Sequence, residues 1–199
     1  MRKRIFIAIN LPDNIKKQLA EYQEKWAEIP ANWTKPKNIH ITLSFIGYAF
    51  DNEIYEISKI VKQVAKTHEP FDVKLNKICY GPLQKSAYAE SQGKLPRMIW
   101  AIGDKSKEFS GLRQDLENAL AETKNVPFSP GKKELAPHIA LARIRQWEWR
   151  KIESEERPEI NENISFSFEA NSIEIMESSL KRGGADYNIF ESYLLGLGK

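Results

Sequence analysis

Cysteine is almost absent from this chain: Cys79 is the one thiol in 199 residues. An internal disulfide is therefore excluded, and a reducing compartment is the natural expectation. No apolar run approaches the roughly 20 residues that cross a bilayer as a helix. Met1-Arg2-Lys3-Arg4 leads directly into Ile5-Phe6-Ile7-Ala8-Ile9 with no apolar leader core, so a soluble cytoplasmic protein is expected. Charge of one sign is lacking too. Thirty Lys and Arg against 27 Asp and Glu leave a net charge of +3, too little for a dedicated nucleic-acid binder but compatible with local basic ground facing an anion. There is no Gly-x-Ser-x-Gly elbow and no phosphate-cradling glycine loop opening a helix. Gly81-Pro82-Leu83-Gln84-Lys85-Ser86 lacks the glycine before its lysine, and Gly196-Leu197-Gly198 stands at the end of the sequence. One Cys and scattered His offer no ligand spacing for zinc, so neither metal nor cofactor is expected.

Histidine is also scarce, with three in all, yet two of them occur in matching settings. Asn38-Ile39-His40-Ile41-Thr42-Leu43 rhymes with Ala136-Pro137-His138-Ile139-Ala140-Leu141. In a β-strand, residues i and i+2 share a face. His40 then looks out with Thr42 and His138 with Ala140, while Ile41, Leu43, Ile139 and Leu141 point inward. Paired imidazoles suit metal-free proton transfer at phosphorus, one nitrogen giving a proton as the other takes one. His68, in Lys66-Thr67-His68-Glu69-Pro70, has no counterpart and reads as a solvated or capping residue.

The rhyme extends along the chain. Arg4-Ile5-Phe6-Ile7-Ala8-Ile9 is echoed by Arg97-Met98-Ile99-Trp100-Ala101-Ile102, and Phe71–Ile78 by Phe166–Ile173. Helices are predicted from Asp13, as a capping residue, to about Trp26, over Asn52–Lys66 and over Ser106–Glu122. A weaker helix over Trp147–Asn161 contains Pro158. The offset between copies stays near 95 residues by alignment of these segments, which points to an internal duplication. The expected fold is α+β: two similar lobes, each an antiparallel sheet with helices on its outer face, around a central cleft. The halves are 1–92 and 93–199 of a single bilobal domain, with the boundary in the loop-like Glu90–Pro96 and an exchange of a terminal strand possible in principle.

Basic residues flank both motifs: Lys35 and Lys37 precede His40, Lys132 and Lys133 precede His138, and Arg143 and Arg145 follow it. Arg143, five residues after His138, falls on the opposite strand parity, and a bulge would be needed to bring its guanidinium round to a phosphate. Phe45 holds the corresponding place after His40, where stacking on a base and packing in a core are equally good readings. The five Trp are scattered and read as core or loop cover.

With these residues in view, the chain resembles the 2H phosphoesterase superfamily, and more closely the RNA 2′,3′-cyclic phosphodiesterases historically called 2′-5′ RNA ligases. The resemblance rests on Arg4–Pro12, His40–Gly47, Pro96–Trp100, Pro137–Arg143, and Glu177–Leu180 followed by Gly184–Tyr187. It implies a bilobal fold with His40 and His138 as the catalytic pair. It also implies Thr42 hydrogen-bonding a phosphate oxygen and Phe45 and Arg143 as substrate contacts. The implied reaction is hydrolysis of an RNA 2′,3′-cyclic phosphate to a 2′-phosphate by a monomer, with His138 as base and His40 as acid, and with 2′-5′ ligation as the reverse. One residue departs from the pattern: Ala140 stands where Thr or Ser is usual. The loss of such a donor can cost on the order of a hundredfold in rate, and a water could take its place. Two further readings follow. In one the substrate is a small nucleotide bearing a cyclic phosphate; in the other the chain is an RNA-end-binding protein, weakly active or inactive because of Ala140.

Overall fold

The structure, a computed structural model, describes residues 2–82, 95–123, 126, 128, 130, 136–182 and 184–197. It is α+β, with two antiparallel sheets and a few helices. The elements run β1 (Lys3–Asn10), α1 (Asp13–Lys25), β2 (Ala31–Trp33), β3 (His40–Ala49), α2 (Asp51–Thr67), β4 (Phe71–Gly81) and β5 (Met98–Gly103). They continue with α3 (Lys107–Glu122), β6 (His138–Ile144), α4 (Gln146–Trp149), β7 (Asn161–Ala170), β8 (Ser172–Lys181) and β9 (Gly184–Leu194).

The helices follow their apolar periodicity. Ile54, Ile57, Val61 and Val64 are buried along α2, and Phe109, Leu112, Leu116 and Leu120 along α3. Ser106 caps α3, its hydroxyl accepting the Phe109 N–H at 3.0 Å. Asp13 does not act as a cap: it is the first residue of α1, with Pro12 at the cap position. The weak helix expected over Trp147–Asn161 is one turn, α4, with a short 3₁₀ turn at Ser154–Glu156. That charged stretch has no apolar stripe to bury, and Pro158 cannot supply a helical N–H.

One sheet has the order β3-β1-β8-β9 and the other β2-β6-β5-β4-β7. Each therefore draws on both halves of the chain, which corrects the expectation of one sheet per half. β4 lies beside β5 as β8 lies beside β1, and each half sends two strands into the other's sheet: β2 and β4 from the first, β8 and β9 from the second. Phe71–Ile78 and Phe166–Ile173, aligned as echoes in the sequence, are neighbours instead: Phe71 pairs with Ala170 and Val73 with Phe168. Strand alternation tells which face is buried, but the choice of hydrogen-bonding neighbour is non-local. One continuous apolar core contains Ile41, Leu43, Ile139 and Leu141 as expected, together with Ile5, Ile7 and Ile9. A small second cluster, Phe6, Ala8 and Met176 with Tyr187 against it, covers the opposite face of the first sheet. Of the expected boundary at 90–96, residues 90–94 lie outside the described residues, as do Lys132 and Lys133.

Candidate active site

β3 and β6, the two His strands, belong to different sheets and approach within 8 Å of each other. Both begin at their His and show the same alternation of half-buried, buried and exposed positions over the first seven residues. The register explains the match. Ala8 pairs with Thr42 and Ile7 with Ser44, leaving Leu43 as an extra residue. Likewise Trp100 pairs with Ala140 and Ile99 with Ala142, leaving Leu141 as the extra one. Each bulge shifts parity by one. Phe45, opposite Phe6, thus joins His40 and Thr42 on the open face, away from the core. Arg143, opposite Met98, joins His138 and Ala140 in the same way. The bulge resolves the parity difficulty of Arg143, and Phe45, 69% exposed, is not a core residue.

Both imidazoles are held in one tautomer. The His40 Nδ1 lies 2.7 Å from the Asn38 carbonyl oxygen, and the His138 Nδ1 lies 3.2 Å from that of Ala136. A carbonyl only accepts, so each Nδ1 carries the hydrogen and each Nε2 is the basic nitrogen of the neutral ring. The Thr42 hydroxyl lies 3.0 Å from His40 Nε2 and donates to it when the ring is neutral. Burial pushes both His pKa values down from the ordinary 6.5. The carbonyl bonds oppose this, while the Lys16 and His138 charges lower His40 further and the Arg113 charge lowers His138.

The rings rest on aromatic walls. His40 packs against Phe6 at 4.9 Å between centroids and edge-on to Tyr187 at 5.2 Å, and His138 packs against Trp100 at 4.4 Å. Trp100 is thus a site residue, beyond the core or loop role expected of the tryptophans. Asn38 is buried, donating its amide to the Ala185 carbonyl at 2.7 Å and accepting the Tyr187 N–H at 3.2 Å. It locks the turn that carries the His40 acceptor onto the β8–β9 hairpin. Asp186 clamps the same place, ion-paired with Lys37 and Lys181. These partners come from β9, some 150 positions along the chain, and only the resemblance of Gly184–Tyr187 to the family's ending pointed to them. On β8, opposite Ala8, buried Glu174 accepts from the Asn10 N–H and from the Ser172 and Ser192 hydroxyls.

Other flanking residues serve elsewhere. Arg145 pairs with Glu148, and Lys35 is exposed. His68 terminates α2 and binds Asp115 of α3 at 2.9 Å, tying the helices together. The concavity lined by Gln18, Glu21, Tyr22, Lys25 and Phe166 holds none of the site residues. No group of acidic, His and Cys side chains among the described residues has the arrangement of a metal centre.

Residues 9–87 match the family model of LigT-like phosphoesterases. Relatives run along nearly the whole chain. The RNA 2′,3′-cyclic phosphodiesterase of Methanocaldococcus jannaschii is 26% identical, covering 96% of this chain and 99% of that protein. The one from Thermus thermophilus is 27% identical over 96% and 90%. The chain is thus similar to the LigT-like phosphoesterases, by the family model over its first part and by these relatives over nearly its whole length. Its fold is the LigT fold. A Thermus thermophilus crystal structure superposes with a TM-score of 0.77 at 23% identity, covering 97% of this chain and 98% of that one. E. coli LigT complexed with 3′-AMP gives 0.75 at 19% identity over 98% and 99%.

Proposed function

We propose that this chain is a LigT-like phosphoesterase that hydrolyses RNA 2′,3′-cyclic phosphate ends to 2′-phosphates, using His40 and His138 as acid and base. The observation that carries the reading is the pair of like-bulged strands, each presenting a half-buried His with Nδ1 tied to a carbonyl and Nε2 turned to the open face. The names of its relatives support the substrate. Both His come from one chain, so a monomer suffices.

The strained cyclic ester needs in-line attack by water and little covalent help. His138 Nε2 takes a proton from the water as its oxygen bonds to phosphorus. The P–O3′ bond breaks, and His40 Nε2–H protonates the departing O3′, leaving a 2′-phosphate and a free 3′-hydroxyl. Once His40 is protonated its Nε2 no longer accepts from Thr42, so the Thr42 hydroxyl hydrogen is released to a phosphate oxygen while Nε2–H faces O3′. Arg143, on the face of His138, adds a charge-assisted contact to the anion. Phe45 offers a stacking surface for the terminal base. In reverse, a 5′-hydroxyl in place of water yields a 2′-5′ bond, and the excess of water makes hydrolysis the net direction.

The deciding assay is hydrolysis of a short RNA bearing a 2′,3′-cyclic phosphate, with chelator present. His40→Ala and His138→Ala should each lower kcat by roughly 10²–10⁴-fold. A substrate with a leaving group that needs no proton should rescue His40→Ala but not His138→Ala. Undiminished turnover in either variant, or abolition of wild-type turnover by the chelator, would refute the two-histidine reading.

A further inference from the structure

Phe45, Tyr48 and Phe50 are 69%, 53% and 52% exposed, an unusual concentration of bare aromatic surface along β3 and the residue that follows it, which caps α2. A second bulge, at Ile46, accompanies the first: Phe6 pairs with Phe45 and Ile5 with Gly47. Gly47 takes a φ of +90° beside that bulge, a conformation that costs a residue with a side chain. The two parity shifts bring His40, Thr42, Phe45 and Tyr48 onto a single face. Tyr48 lies opposite Arg4, and the Arg2 guanidinium stands over the Tyr48 and Phe50 rings at 5.4 and 5.5 Å. The nearby carboxylates are engaged: Glu53 accepts the Phe50 N–H and Asp51 faces Lys3. His40 pairs with Asn10 and Tyr48 with Arg4, six residues apart on β1, so the strip extends about 20 Å from the catalytic His.

We infer that this strip binds the RNA chain behind the reacting end, with bases stacked along Phe45, Tyr48 and Phe50 and backbone phosphates on Arg2 and Arg4. Alternating aromatic and cationic groups in a line are what sequence-tolerant binding of single-stranded nucleic acid needs. The preferred substrate is then an oligoribonucleotide of a few residues, not a mononucleotide cyclic phosphate. The inference rests on the function proposed above.

The test measures kcat/KM on cyclic-phosphate substrates from one to about six nucleotides, together with fluorescence-anisotropy Kd values for a labelled oligoribonucleotide ending in a 3′-phosphate. Wild-type kcat/KM should climb over the first few nucleotides, on the order of tenfold per stacked base, and then level off. Tyr48→Ala and Phe50→Ala should each lose roughly tenfold on the longer substrates and in oligonucleotide binding, while their mononucleotide turnover stays near wild type. Equal kcat/KM at all lengths, or equal losses on long and short substrates, would overturn the strip and leave the catalytic reading intact. Absence of any turnover would sink the catalytic reading, and the anisotropy series would still decide the strip. Unchanged RNA binding with altered self-association would make it a protein interface instead.

A separate observation concerns the hydroxyl missing at Ala140. The bulge at Leu141 turns the Ala140 and Leu141 carbonyls both toward the chain that continues β2, where Thr34 meets them. Its N–H donates to the Leu141 oxygen at 2.8 Å and its hydroxyl to the Ala140 oxygen at 2.8 Å. Asn32 pairs with Arg143, so Thr34, two residues on, shares the face of Arg143, Ala140 and His138. We propose that Thr34 supplies the hydroxyl Ala140 lacks, turning its hydrogen from the carbonyl to the anionic phosphate oxygen, the stronger acceptor. This too rests on the proposed reaction. Thr34→Val should lower kcat on the order of a hundredfold with a smaller change in KM. Thr34→Ser should keep most activity, and adding Ala140→Thr to Thr34→Val should restore it. A purely structural clip predicts a fall in Tm, no preferential loss of kcat and no rescue, and that outcome would overturn the assignment. Full activity of Thr34→Val would do so equally. Should the wild type be inactive on every substrate, creation of turnover by Ala140→Thr would reject it, because the hydroxyl would then have been missing.

Discussion

The site chemistry is set by small distances around two rings. A carbonyl on each Nδ1 fixes the tautomer, and burial with neighbouring cations opposes protonation at both Nε2 atoms. The proposed reaction needs one ring charged and one neutral, so activity is bell-shaped in pH. Both pKa values lie below the ordinary 6.5, which moves both limbs toward acid. The optimum of kcat/KM should therefore fall below about 6.5, with activity declining as pH rises through neutrality and the acid loses its proton. A pH–rate profile on a cyclic-phosphate substrate checks this, and a flat line between about pH 5 and 8 contradicts it. Asn38 acts one step back. Asn38→Ala leaves the half-buried Tyr187 N–H and the Ala185 carbonyl without their partner. A loss of about 1–3 kcal/mol in unfolding free energy is expected, with lower kcat as the His40 acceptor loosens. Denaturant unfolding and steady-state kinetics measure the two effects.

At the scale of elements, β3 and β6 are built alike, and their bulges do what a regular strand cannot. In an unbroken strand, residues three or five apart alternate faces to no fixed benefit. One extra residue places Phe45 with His40 and Arg143 with His138. β4 supports this arrangement through Gly81. A Cβ there would lie 2.3 Å from the Trp100 ring, which itself packs on His138. Gly81→Ala must push the indole away. It should destabilise the fold by about 1–3 kcal/mol and reduce kcat, with a change in tryptophan fluorescence reporting the displaced ring.

Across the whole molecule, the strand exchange makes the two sheets share one core, and the β8–β9 hairpin reaches back to brace the turn before His40. Asp186 is the charged rivet of that brace, its carboxyl held down to about 2 by the Lys181 and Lys37 ammonium groups. A depressed carboxylate contributes stability that is present at neutral pH. That stability fades as pH falls from the ordinary carboxylate value of 3.8 through about 2. Asp186→Asn should lower Tm at pH 7, and its deficit should shrink toward zero across that acid window. A series of thermal melts against pH would show the convergence, and a constant deficit would show that the ion pairs contribute nothing.

Much of this was present in the order of residues. Apolar alternation placed Ile41, Leu43, Ile139 and Leu141 in the core, and helical spacing located α1, α2 and α3 to within a residue or two, because those signals are local and set by side-chain periodicity. The two His stood out because they are rare and their settings repeat. What the sequence could not determine was everything that depends on pairing across long distances. Which face carried Phe45 and Arg143 hung on a bulge defined only against β1 and β5. Which strands neighbour which depended on an exchange between halves with equivalent hydrogen-bonding edges. The partners that tune His40 arrive from Lys16, Asn38 and the β9 hairpin. A strand's alternation fixes inside from outside, but its register and its neighbours are properties of the other chain segment as well, and only the folded molecule supplies that second half.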